Sequence, residues 1–246
     1  MASVGFHCSH EQLAPSALLR AVRRAENAGF DNAMCSDHFA PWGAAQGHSG
    51  YPWSWLGAAL QATNLSFGVV TAPGQRYHPA ITAQAIATLA EMFPGRFWAA
   101  LGSGEAVNEH ITGDKWPDKS TRDRRLLECV DVIRRLLAGE EVSHDGLVTV
   151  DRARLWDLPA EPPRLVGAAV SAQTAGVVGS WADGLITINQ PHDVLRDVFD
   201  AFREGGGEGK PIYLQVHLSW DPDEDRAESI ALEQWRTNVF DSSLAW

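Results

Sequence analysis

Short apolar runs alternate with longer stretches of helical spacing along most of this chain. Residues 4–7 read as a first strand. Pro15 then stands where a first helical turn tolerates proline, and Leu18, Leu19, Val22 and Ala25 recur at helical spacing. Gly29 is placed to end that helix, and residues 30–35 return as a second strand. A helix near 55–62 leads to a third strand over 66–71. A helix over 80–92, with Ile81, Ala85, Ile86 and Leu89 on one face, leads to a fourth over 97–101. Val130, Ile133, Leu136 and Leu137 give the next helix its apolar face.

The rhythm then changes. Residues 142–144 and 147–150 flank Asp145-Gly146, a strong hairpin signal that predicts a small antiparallel insertion over 142–150. Alternation resumes with a strand over 165–168, a helix over 172–178, a strand over 184–188 and a helix over 194–204. Gly205-Gly206-Gly207 reads as a flexible joint before a strand over 212–218 and a helix over 224–235. Seven such strands predict a parallel α/β sheet with crossover helices, closed near this length as a TIM (β/α)8 barrel in a single domain spanning 1–246. The chain stops at Leu244-Ala245-Trp246 with no eighth strand in sight, which predicts an incomplete or truncated barrel. The edges of the first and seventh strands would then stand open, and a homodimer is expected to cover them. The competing architecture is an open doubly wound sheet, weakened by the lack of Gly-x-Gly-x-x-Gly after the first strand.

Composition narrows the partners. The 246 residues are 45% hydrophobic, enough for a full core, with no apolar run long enough to cross a bilayer. A formal net charge of -11 argues against nucleic acid and against an anionic membrane surface. Cys8, Cys35 and Cys129 are widely spaced and read as reduced, buried thiols of a cytoplasmic protein, and residues 1–6 lack the features of a signal peptide. Ten tryptophans make a pocket with aromatic walls plausible.

The barrel frame sorts the polar residues by strand end, where such enzymes react. His7, Ser9 and His10 follow strand one. The apolar end of strand two breaks into Asp37 and His38, with Pro41 and Trp42 beyond. Thr71 and Pro73 follow strand three, and Gly102-Ser103-Gly104-Glu105 with Asn108 and Glu109 follow strand four. Glycines there let backbone N–H groups approach a ligand. Each piece has a plainer reading: Asp37 as a helix cap with His38 a bystander, and Gly-Ser-Gly-Glu as an ordinary turn.

Together the segments resemble the bacterial-luciferase-like flavin and deazaflavin oxidoreductases, in the branch of F420-dependent glucose-6-phosphate dehydrogenase and its non-F420 flavin relatives. The matching text is Glu11-Gln12 with Ala14-Pro15, Ser36-Asp37-His38-Phe39 with Pro41-Trp42, Gly47-His48, Arg76-Tyr77, Pro79-Ala80, Ala83-Gln84-Ala85, Gly102-Ser103-Gly104-Glu105-Ala106 with Asn108-Glu109, and Ala182-Asp183-Gly184. The resemblance implies a hydride-transferring or monooxygenating enzyme acting on a small organic substrate. It implies catalytic roles for His38 as base, Glu105 as acid and Trp42 as aromatic wall. Asp37 would orient His38 or touch the cofactor. Val69, Val70, Thr71, Ser103, Gly104, Glu105, Asn108, Ala168 and Ala169 would line the cofactor, its phosphate held by N–H groups around Ser103-Gly104 and Ala168-Ala169. A cis peptide is implied within 69–71. Glu105 is expected among apolar neighbours such as Trp42, so that it can donate a proton.

Three departures matter. Val170-Ser171 replaces the family's paired glycines, the segment after strand three looks one residue shorter, and Asn189-Gln190-Pro191 stands where a sugar-phosphate lysine is expected. They disfavour glucose 6-phosphate and tip the cofactor expectation from coenzyme F420 toward FMN. Two other classes compete: a barrel hydrolase with a metal held among His7, His10, Asp37, His38, Glu105 and His110, and a non-catalytic family member.

Overall fold

The computed structural model describes residues 3–235. In chain order the elements are β1 (Gly5–Cys8), α1 (Pro15–Asn27), β2 (Asn32–Ser36), α2 (Pro52–Ala62), β3 (Ser66–Thr71), α3 (Pro79–Met92) and β4 (Phe97–Leu101). A one-turn α4 (Ala106–Glu109), the long α5 (Lys119–Leu137) and a hairpin of β5 (Val142–Asp145) and β6 (Thr149–Ala153) follow. Then come β7 (Leu165–Ala168), α6 (Ala172–Trp181), β8 (Leu185–Ile188), α7 (His192–Phe202), β9 (Ile212–Gln215) and α8 (Glu224–Trp235). Pro15, Pro52 and Pro79 open the first three long helices, where the missing N–H has no intrahelical partner to lose.

Seven strands pair in the order β1-β2-β3-β4-β7-β8-β9, every pairing parallel, with the hairpin as a separate two-stranded sheet. This is a parallel βα barrel with one seam left unsealed, between β9 and β1. Side chains bridge the seam: Gln215 Nε2 lies 3.3 Å from His7 Nδ1. Above it, Gln234 of α8 accepts from Gln12 Nε2 at 3.3 Å and donates to the Ala45 carbonyl at 3.2 Å. The place for an eighth strand lies outside the described residues.

The pleat divides the barrel's apolar residues into two layers, because successive strand side chains point to opposite faces. Ala33, Cys35, Phe67, Val69, Ala99 and Leu101 face outward and pack, fully buried, under α1, α2, α3 and α5. Trp98, Ala100, Val166 and Ile186 face inward, joined by Met34, Val70, Ala168 and Tyr213. Trp98 stacks on Tyr213 with ring centroids 4.6 Å apart. The indole occupies the side-chain space of Gly68, where a Cβ would lie 2.0 Å from it.

Several expectations are corrected in detail. Ile81 is exposed, because α3 buries the face of Thr82, Ala83, Ile86 and Leu89 instead. Apolar residues lie on both sides of that helix, so spacing alone does not choose. The hairpin turns through Gly146-Leu147-Val148 rather than Asp145-Gly146, since Asp145 pairs with Thr149. Glu128 of α5 fixes that turn by accepting from the Leu147 and Val148 N–H groups at 2.7 and 3.3 Å. The triple glycine is not a loose joint: a Cβ at Gly205 would lie 2.1 Å from the Gly176 carbonyl oxygen, so backbone packs on backbone there. No cis peptide occurs among the described residues, and 69–71 run on within β3.

Candidate active site

The two-residue period of β2 decides what Asp37 and His38 can do. Met34 faces inward and Cys35 outward, so continuing the pleat sends Asp37 toward the helices and His38 into the mouth of the barrel. Neighbours in sequence, they therefore serve different sites. Asp37 is buried beneath the mouth, where Oδ2 accepts from Trp53 Nε1 at 2.9 Å and Thr71 Oγ1 at 2.8 Å, and Oδ1 from Tyr77 OH at 3.0 Å. Arg76 Nη1 lies 3.4 Å from Oδ1, and its Nη2 donates to the Asp37 carbonyl at 2.7 Å. Asp37 thus anchors the turn after β3 and does not orient His38. Of the two roles expected of it, orienting His38 is therefore corrected.

The carboxylate that serves His38 is Glu11, from the loop after β1. Glu11 Oε1 lies 2.6 Å from His38 Nδ1, and Oε2 accepts from Ser9 Oγ at 2.9 Å. The contact is a close charge pair rather than a well-angled hydrogen bond. Burial pushes the His38 pKa down, but the Glu11 contact and the Glu105 charge outweigh it and leave the imidazole above its usual value. Burial likewise opposes ionisation of Glu11, yet the His38 contact holds its pKa at about 2. Trp42 meets the His38 ring edge-on at 5.0 Å. His38 Nε2 has no protein partner among the described residues, and 13% of the side chain is exposed. Glu11 was visible in the sequence only as part of Glu11-Gln12; nothing in the spacing tied it to His38.

After β4 the chain bends at Gly104, with φ at +77°, a conformation that favours glycine. The Ser103 and Gly104 N–H groups carry no hydrogen bond among the described residues. Glu105 is exposed at the start of α4, not enclosed by apolar neighbours, but near enough for its charge to act on His38. Asn108 is buried. Its Oδ1 accepts from the Phe39 and Ala40 N–H groups at 2.9 and 3.2 Å, tying the loop that carries His38 to the helix that follows Glu105. Its Nδ2 is buried without a partner. Glu109 completes the support by accepting from the Arg76 N–H at 2.8 Å.

Of the residues expected along the cofactor, Val70 and Ala168 face inward. Val69 and Ala169 do not: both pack against helices, and the Ala169 N–H is taken by the Ile186 carbonyl at 3.1 Å. Thr71 spends its hydroxyl on Asp37. Part of the inward layer reaches solvent: Met34, Val70, Ala168 and Tyr213 are only partly buried, whereas Trp98, Ala100, Val166 and Ile186 are buried. Among the described residues no three His, Cys, Asp or Glu side chains converge to hold a metal. His10, named for that role, is buried edge-on against Trp55 at 4.9 Å.

An open-mouthed parallel βα barrel, with an ion-paired imidazole and a carboxylate at the C-terminal strand ends, has the layout of a barrel enzyme. The chain matches the luciferase-like monooxygenase family over residues 2–244, and belongs to it. It is similar to an F420-dependent hydroxymycolic acid dehydrogenase of Mycobacterium tuberculosis, 36% identical over 95% of this chain and 66% of that protein. It is also similar to an F420-dependent glucose-6-phosphate dehydrogenase of Nakamurella multipartita, 37% identical over 91% of this chain and 69% of the relative. The chain thus spans about two thirds of the length of these curated relatives. Among solved structures it resembles an F420-dependent secondary alcohol dehydrogenase in complex with an F420-acetone adduct. The TM-score is 0.88 at 34% identity, covering 95% of this chain and 74% of that one.

Proposed function

We propose that this protein is a deazaflavin-dependent oxidoreductase that interconverts an alcohol and its carbonyl compound, with His38 as the base. The observation that carries the reading is the Glu11–His38 pair, which leaves Nε2 as the unpaired ring nitrogen at the mouth. The site has groups unspent that suit a flavin-type coenzyme: the free N–H groups of Ser103 and Gly104, the partnerless buried Asn108 Nδ2, and the open inward faces of Val70 and Ala168. Those residues would hold it, and when bound it would supply the hydride-accepting centre. The names of the similar proteins favour coenzyme F420 over the FMN preferred from sequence. Val170, expected to crowd the long tail of F420, is 55% exposed and fills no buried space at the end of β7.

In this mechanism His38 takes the substrate hydroxyl proton at Nε2, and Glu11 stabilises the imidazolium that forms. Trp42 holds the ring edge-on and limits water around it. Asn108 and the Asp37–Arg76–Glu109 cluster keep the His38 and Glu105 loops in register, and the exposed Glu105 carboxylate would relay a proton between water and the bound coenzyme. Parallel fluorescence titrations with F420 and FMN test the cofactor. The expected result is saturable F420 binding at least about tenfold tighter than FMN. Binding of neither would overturn the reading.

A further inference from the structure

The segment that carries His38 and Trp42 has neither strand nor helix over residues 37–51, so backbone pairing does not hold it in place. Its ends are drawn together instead. Ser49 Oγ donates to the His38 carbonyl at 2.7 Å, and the His48 N–H donates to the Glu11 carbonyl at 3.0 Å. The result is a compact loop of the kind packed by its own side chains. One of those side chains has no part in the chemistry proposed for the site. Gln46 is only 3% exposed. Its Oε1 accepts from the Trp42 N–H at 2.9 Å, and its own N–H donates to the Gly43 carbonyl at 3.0 Å. Burying a long amide costs rotamer freedom and desolvation, which these bonds offset.

The position of Gln46 decides where the indole goes. Trp42 stands between Pro41, whose φ is fixed, and Gly43, the least restrained residue type. A bond from the Trp42 N–H to Gln46 fixes the backbone there, and with it the direction in which the Trp42 side chain leaves. That side chain meets the His38 ring edge-on, with centroids 5.0 Å apart. The other end of the Gln46 amide looks outward: Nε2 donates to the Gln234 carbonyl of α8 at 3.4 Å. The Gln234 side chain in turn accepts from Gln12 and donates to the Ala45 carbonyl. Gln12 follows Glu11, the carboxylate that pairs with His38. Among the described residues α8 buries no side chain, so its hold on the mouth runs through these polar contacts and the His217–Trp235 ring contact at 4.6 Å.

We propose that Gln46 is a positioning residue for His38. It sets Trp42 against the imidazole, and with Gln234 it clasps the loop that supplies Glu11 to the loop that supplies Trp42. The inference rests on the oxidoreductase reading for the task His38 performs. Two groups that bracket the imidazole, one holding Nδ1 and one the ring edge, are thereby fixed from a single buried amide. A base held this way keeps its reactive nitrogen in one place, which is what an oriented proton transfer requires.

Side-chain NMR of the imidazoles and amide hydrogen exchange, on the whole chain without coenzyme, test this. His38→Gln identifies the His38 ring C–H lines, and Trp42→Leu gives their position without the ring current of the indole. Spectra are recorded well below pH 6.5, where His38 is protonated in each variant compared. Gln46→Leu should carry the His38 lines most of the way to their position in Trp42→Leu. It should also speed exchange at the Trp42 amide at least about threefold, as expected for one lost hydrogen bond. Gln46→Glu keeps an oxygen for that N–H and should return both readings to those of the parent. If Gln46→Leu does not fold, Gln234→Ala carries the test, and exchange at the Trp42 amide should rise at least about twofold. Unmoved His38 lines in a folded Gln46→Leu, no recovery in Gln46→Glu, or unchanged exchange in Gln234→Ala would overturn the proposal. Failure of F420 to bind, seen in the separate titration, would instead overturn the oxidoreductase reading beneath it.

Discussion

Glu11→Gln separates the two carboxylates near His38. Removing the Glu11 charge lowers the His38 pKa, so the rising limb of the rate–pH profile for alcohol oxidation should move to lower pH, with a lower plateau because the base is weaker. The stability profile follows from the same pair. Glu11 has its folded pKa depressed from 4.5, so its contribution is present above 4.5 and lost as pH falls toward about 2. His38 is raised from 6.5, so its contribution is full below 6.5 and lost as pH rises through the folded value. Thermal melts should therefore show the parent's advantage over Glu11→Gln greatest between these limits; a pH-independent difference would contradict the pairing. Asp37→Ala should act differently, destabilising by about 3–5 kcal/mol in urea titrations, because Arg76 loses a buried partner. Loss of turnover at unchanged stability would count against that role. At this scale the sequence was half legible. Asp37 and His38 stood out by type, but a period of two puts strand neighbours on opposite faces, and the partner of His38 comes from another strand end.

The elements themselves were more legible, because a period near 3.6 and one of two are written directly into the apolar positions. β3, β4, β7 and α8 begin and end where the spacing places them. The errors arise where something non-local decides. Glu128 reaches across to set the hairpin turn, and close backbone packing rather than looseness explains the glycines at 205–207. Gly68 shows the same effect inside the barrel, as its empty side-chain position is the seat of Trp98. Gly68→Ala should displace that indole from Tyr213 and destabilise by about 1–3 kcal/mol, the range for overpacking. Near-UV circular dichroism and a urea midpoint check it; an unchanged aromatic signal would show that the barrel interior has slack there.

For the whole molecule, the seam is the governing feature. Among the described residues β9 and β1 each keep one edge unpaired by backbone, and Leu214, Val216, Leu218 and Trp220 stand exposed beside it. Open edges with apolar flanks self-associate. Light scattering should find a dimer or larger species, shifted toward monomer in a Leu218→Glu, Trp220→Glu double variant; a parent that stays monomeric at high concentration would refute this. The barrel was legible because alternation of strands and helices leaves few topologies. The open seam was legible only as a missing strand, since side-chain bridges such as His7–Gln215 join residues far apart in sequence. The account turns on His38 acting as base toward an alcohol with F420 bound. Its most direct test is coenzyme reduction by cyclohexanol across a pH series, for the parent and His38→Ala, with F420 affinity measured beside it. The predicted result is a fall in turnover of roughly 2–4 orders of magnitude and loss of the rising pH limb, at nearly unchanged F420 affinity. Full turnover in His38→Ala with the parent's pH profile would contradict the account.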